Sequence, residues 1–109
     1  MPYLSTTNQL INLRKQRLKL EKQCLFIANQ HLPEASDMRK ILDALNAAFG
    51  AFAKSIVAGC PPELYSKFQQ LREDATDIYR KLEPTSSTFT CVTKLREVDN
   101  RIYQLIGSS

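Results

Sequence analysis

Apolar residues recur along this chain at steps of three and four, broken by prolines and short polar stretches, which is the spacing of one helical face rather than of a strand. From residue 6 to about 31, Leu10, Leu13, Leu20, Cys24 and Ile27 form one seam, with Arg17 standing in the skipped position. Ile11, Leu18, Leu25 and Leu32 form a second seam that repeats every seven residues. Taken together they predict a first helix with an apolar arc of about 200°, wide enough to touch two neighbours. Thr6-Thr7-Asn8-Gln9 has the form of a capping box at its start, and Pro33 marks its end.

A second helix is predicted over 34–58, opened by Pro33 or capped by Ser36. Its inward residues are Met38, Ile41, Leu45, Ala48 and Phe52, joined by Leu42, Phe49 and Ile56. Gly59 followed by Pro61 and Pro62 predicts a firm stop. The third helix, over 61–82, carries the cleanest stripe: Leu64, Phe68, Leu71, Ala75, Ile78 and Leu82. A fourth, over 87–106, presents Val92, Leu95, Val98, Ile102, Leu105 and Ile106. Its start, Thr88-Phe89-Thr90-Cys91-Val92-Thr93, is rich in strand-favouring residues, but one isolated strand would have no partner to pair with. Four helices with short connections predict an all-α, up-down-up-down four-helix bundle spanning 1–109 as one domain, completed or extended by homodimerisation. An open arrangement, with a long hairpin completed only in a dimer, is the competing architecture.

Composition changes this picture little, but charge sharpens it. The net charge is +4, and the excess is local. Residues 6–31 hold Arg14, Lys15, Arg17, Lys19 and Lys22 against the single acid Glu21, whereas the rest of the chain balances. Lys15, Lys19 and Lys22 share a face with Phe26 and form a candidate basic face. Three lysines suffice for weak, salt-sensitive phosphate contact, not for base reading. A solvated helix surface is the plainer meaning. No apolar run approaches the roughly 20 residues of a membrane helix, no secretory pattern opens the chain, and the three cysteines lack a Cys-x-x-Cys pair. A cytoplasmic, reducing setting without membrane contact is expected.

Chemistry is scarce. A di-iron bundle needs Glu-x-x-His pairs, and the only histidine is His31. A zinc site from Cys24, His31 and Cys91 is conceivable at one end of the bundle, with Cys60 at the other. Core packing of Cys24 and Cys91, and a helix-terminal role for His31, explain those residues more simply. Glu73, Asp74 and Asp77 lie on the polar side of the third helix, where they are hydrated and lack the burial or close like charge a general acid needs. No catalytic residues, cofactor or metal are therefore expected, and an enzyme of small-molecule or metal type ranks third.

Two further features point to contact surfaces. Arg17 and Glu21, four residues apart between two apolar seams, form a candidate buried ion pair that fixes register with another helix or chain; otherwise their stems cover the core edge and their heads reach solvent. On the second helix, Ala44, Ala47, Gly50, Ala51 and Ala58 are placed opposite the large apolar face. Gly50 costs about 1 kcal/mol in a helix interior, and close approach by another backbone would explain it. Ala44, Ala47, Gly50 and Ala51 are thus the candidate self-association seam, with the first helix around Arg17 and Glu21 as the alternative. The leading expectation is a non-enzymatic helical protein–protein interaction module: an adaptor, chaperone-like binder, inhibitor or regulator. The alternative is a nucleic-acid-associated regulator using the basic first helix.

Overall fold

The computed structural model describes residues 2–30 and 35–107. Four helices make up the fold, α1 (Pro2–Ala28), α2 (Ala35–Val57), α3 (Pro62–Tyr79) and α4 (Ser87–Gly107), with no strand among the described residues. The all-α four-helix bundle expected from periodicity is the observed architecture. Each helix runs antiparallel to the next. Arg39 on α2 reaches Ala28 and Asn29 at the end of α1, Phe52 meets Phe68 across α2 and α3, and Tyr79 pairs with Thr93 across α3 and α4. α1 closes the ring against α4, where Arg17 meets Asp99 and Cys24 meets Cys91.

The helix ends follow local chemistry. α2 stops in a Schellman motif: the Cys60 N–H donates to the Ser55 carbonyl and the Gly59 N–H to the Ile56 carbonyl. Gly59 supplies the positive φ of 81° that this turn requires. Pro61 and Pro62 then open α3, since proline lacks the N–H that a first helical turn leaves unpaired. Ser86 caps α4, its Oγ accepting from the Phe89 N–H at 3.1 Å. The strand-favouring segment after it is helical, because Thr90 and Thr93 turn their hydroxyls onto carbonyls four residues back and Thr88, Cys91 and Val92 are buried against other helices.

Three boundaries depart from expectation. α1 begins at Pro2, so the Thr6 box lies inside the helix; a capping pattern is a local preference that helical neighbours override. α3 ends at Tyr79, and Leu82 reaches the core from a tightened turn beyond it. Ser36 lies inside α2, and the stop and start assigned to Pro33 lie outside the described residues.

The core has two halves. Cys24, Met38, Ile41, Leu42, Leu45, Ala75, Val92 and Leu95 fill an aliphatic half, and Phe52, Phe68 and Tyr103 dominate an aromatic one. The inward stripes of α2, α3 and α4 are those read from the sequence, except that Ile56 is exposed. On α1 only the first seam packs inward. The second does not, and the expected burial of a 200° arc is corrected: Ile11, Leu18 and Leu25 are 47%, 54% and 45% exposed. A four-membered ring gives α1 its two neighbours, α2 and α4, on one side, and both are served by the first seam. Leu32 lies outside the described residues.

Candidate functional site

Arg17 occupies the skipped position of the inward seam, so its guanidinium enters the bundle at mid-height, between the two core halves. Its Nε donates to Asp99 Oδ1 at 2.5 Å, its Nη2 to Asn46 Oδ1 at 3.0 Å, and its Nη1 to Glu21 Oε2 at 3.4 Å. Asn46 Nδ2 in turn donates to Glu21 Oε1. The guanidinium plane also lies over the Phe49 ring, 4.6 Å from its centroid. Arg17 is thus 9% exposed and Asp99 1% exposed, within a network that joins α1, α2 and α4. The Arg17–Glu21 contact expected from the sequence is present, but it is the outer, weaker arm. Asp99 is the principal partner.

Burial pushes the Asp99 carboxyl above its ordinary range, and the Arg17 guanidinium pulls it back only in part. Tyr103 is raised as well, by burial first and by the Asp99 charge second, so its phenol keeps its proton. A perturbed carboxyl can mark catalysis. Here the cavity beside Asp99, bounded by Leu45, Arg72, Arg96, Asn100 and Tyr103, measures about 20 Å³, room for one water rather than a substrate. The geometry suits a satisfied buried ion pair that sets the register of α1 on α4.

Directly outside this network lies the α1 face that the bundle leaves uncovered. Ile11, Leu18 and Leu25 run along it one heptad apart, and Phe26, 68% exposed, stands beside them. Lys15, Lys19 and Lys22 are all exposed on the same side, and Arg14 borders the other. A shallow groove between α1 and α2 is lined by Ile11, Arg14, Lys15, Leu18 and Phe49, with Arg17 and Glu21 beneath. The surface is therefore apolar along its crest and basic along its flanks. Singly exposed apolar residues need no explanation; a row of three at coiled-coil spacing does.

The small residues of α2 separate into two groups. Ala47 and Gly50 are exposed, and a Cβ at Gly50 would meet no atom of the described residues within 4 Å. Ala51 is buried and Ala44 half-buried against the core. Their assignment to the back of the helix is corrected: Ala44 packs against the aliphatic half of the core and Ala51 lies in the aromatic half, where small side chains let α2 approach its neighbours.

The cysteines also separate. Cys24 and Cys91 touch inside the bundle, Sγ to Sγ 2.6 Å, whereas Cys60 is exposed at the α2–α3 turn. No cluster of three metal-ligating side chains occurs among the described residues, which exclude His31. Near Cys60, a cavity of about 570 Å³ opens between α2, α3 and α4, lined by Phe52, Tyr65, Phe68 and Ile106. Ser55 and Tyr103, whose hydroxyls have no hydrogen-bond partner among the described residues, also border it.

Sequence reasoning missed Asp99 and Asn46. The signal for Asp99 was present, since it lies four residues after Leu95 and three before Ile102, on the inward stripe of α4. A charge at an inward position of one helix asks for an opposite charge on another. Asn46 carried no comparable signal. No protein-family model, curated protein or solved structure matches this chain.

Proposed function

We propose that this chain is a non-enzymatic helical interaction module that receives an amphipathic, acidic helix of a protein partner along the outer face of α1. The observation that carries the reading is the half-exposed heptad row Ile11, Leu18 and Leu25 with lysines on its flank. A partner helix with apolar residues at matching spacing would bury the row, as helix-in-groove partners do. Acidic residues beside its apolar stripe would meet Arg14, Lys15, Lys19 and Lys22. Charge also selects against the simplest homodimer, because a two-fold pairing of this face sets lysine against lysine. Beneath the face, the Arg17–Asp99 network holds α1 in register, so the row is presented by a rigid helix rather than a mobile one.

The test uses a labelled helical peptide of about three heptads carrying leucines at heptad spacing flanked by glutamates, titrated by fluorescence anisotropy. Binding that weakens with salt, and that falls at least about tenfold with Leu18→Glu, supports the proposal. A lysine-flanked version of the peptide is expected not to bind. Failure of the acidic peptide to bind, or indifference to Leu18→Glu, overturns it. The nucleic-acid reading rests on the same exposed Lys15, Lys19 and Lys22. It is favoured if generic DNA or RNA binds, loses binding with the triple lysine-to-alanine variant, and keeps it with Leu18→Gln.

A further inference from the structure

Cys24 and Cys91 are separated by 67 residues of chain, yet their sulfurs lie 2.6 Å apart where α1 crosses α4. Both cysteines are buried, but not equally. Cys24 has no exposed surface, whereas Cys91 keeps a small exposed fraction and borders a surface groove of about 300 Å³. That groove is lined by Gln23, Ile27, Thr85, Ser86, Thr90 and Lys94, so Cys91, unlike Cys24, borders space that opens to solvent. The third cysteine, Cys60, stands at the α2–α3 turn and is exposed, away from both.

We propose that Cys24 and Cys91 are a modification site for peroxides: a dithiol that closes into a reversible disulfide joining α1 to α4. Cys91, the cysteine that borders the groove, reacts first. It gives an electron pair to one oxygen of hydrogen peroxide, the O–O bond breaks, and Cys91 becomes a sulfenic acid as one water leaves. The Cys24 sulfur then attacks the Cys91 sulfur; the S–O bond breaks, and the departing hydroxide takes the Cys24 proton as a second water. Two thiols are oxidised by two electrons in total and one peroxide is reduced to two waters. A dithiol reductant such as reduced thioredoxin or dithiothreitol reverses the step by exchange.

Division of labour follows from placement. A sulfenic acid forms where oxidant arrives, and a resolving thiol must already be within reach before further oxidation intervenes. Cys24 is fully enclosed, which leaves the first reaction to Cys91, the cysteine that borders the groove. A disulfide has its sulfurs about 2.05 Å apart, so closure needs only a small adjustment of two side chains. The product cross-links a long loop and holds α1, with its exposed row, against α4.

The full chain, reduced and then freed of reductant, is treated with graded hydrogen peroxide under native conditions. It is then denatured, alkylated with N-ethylmaleimide and weighed intact. The expected product has lost two hydrogens and takes up one maleimide, at Cys60, and a non-reducing digest joins the Cys24 and Cys91 peptides. Dithiothreitol restores three alkylated thiols, and the oxidised form melts at a higher temperature than the reduced one. In Cys24→Ser the reaction stops at the sulfenic acid, which dimedone labels at Cys91. Cys60→Ser leaves the internal cross-link intact. Consumption of Cys60 alone overturns the proposal, as does oxidation of Cys91 to sulfinic acid in the wild type without any Cys24–Cys91 peptide. The wild-type mass measurement decides the matter even if Cys24→Ser fails to fold.

Discussion

Arg17 and Asp99 depend on each other more than the bundle depends on either. Removing both hydration shells is costly, and the attraction between the two charges recovers that cost only while the geometry is kept. Asp99→Ala leaves a guanidinium buried with one weak ionic partner, Glu21. A loss of about 3–5 kcal/mol is expected, measured by urea unfolding. Replacing both residues, as in Arg17→Met with Asp99→Leu, is expected to recover most of that loss, because an apolar pair of similar volume needs no compensation. If the double variant is as unstable as Asp99→Ala, the pair is not what the single substitution disturbs. pH reports the same residue. The folded carboxyl is raised above its ordinary value of 3.8, so the folded state binds the proton more tightly than the unfolded one. Its contribution to stability therefore falls as pH rises through the interval from that value to the raised one. Asp99→Asn is expected to remove this slope, as a difference from wild type in unfolding free energy across mildly acidic pH. Gly50 is a contrasting case: an added Cβ would meet nothing among the described residues within 4 Å, so Gly50→Ala is expected to stabilise the isolated chain by about 0.5–1 kcal/mol. A loss instead would place another backbone against that position.

At the level of whole helices, α1 and α4 have opposite tolerances. Leu95 of α4 is fully enclosed, and Leu95→Ala is expected to cost about 2–5 kcal/mol through the cavity it leaves. Leu18→Gln and Leu25→Gln, on the uncovered row of α1, are expected to change stability by no more than about 0.5 kcal/mol. Those two values, read from the same denaturant titration, separate a core seam from a docking seam. A large loss from the α1 variants would mean that the row is covered in the protein as it exists in solution. The same periodicity underlies both seams. A heptad row in sequence states that a helix has an apolar face, not which neighbour, if any, receives it.

For the whole molecule the question is what that face meets. The charge excess of +4 lies on α1, so an α1-to-α1 dimer repels itself at low salt, while a dimer through Ala47 and Gly50 is indifferent to salt. Sedimentation equilibrium across ionic strength is expected to give a monomer at low salt. Self-association that strengthens as salt rises would locate a seam on α1. A salt-independent dimer that is broken by Gly50→Leu would locate it on α2 instead, and would restore the small-residue seam as the contact surface.

Local rules were enough for much of this molecule. Pro61, Pro62 and Gly59 punctuate the chain wherever they stand, since their backbone limits do not depend on tertiary context. The three-and-four spacing of α2, α3 and α4 names most of their inward residues, because each helix has one main apolar stripe to bury; Ile56, which is exposed, and Ala51 and Asp99, which are buried, are among the exceptions. α1 is different: it has two seams, and burial of one leaves the other outside. Which seam is buried depends on the placement of α2 and α4, and no periodicity within α1 contains that information. The same holds for Arg17. Its own helix offers Glu21, a neighbour at four residues, while the stronger partner, Asp99, comes from 82 positions away. Cys24 and Cys91 likewise meet only through the antiparallel crossing of α1 and α4. Sequence determines what each helix can offer along its own length, because propensity and periodicity are local; the pairing of seams, charges and thiols is decided by tertiary structure, because those contacts arise only when distant segments are packed together.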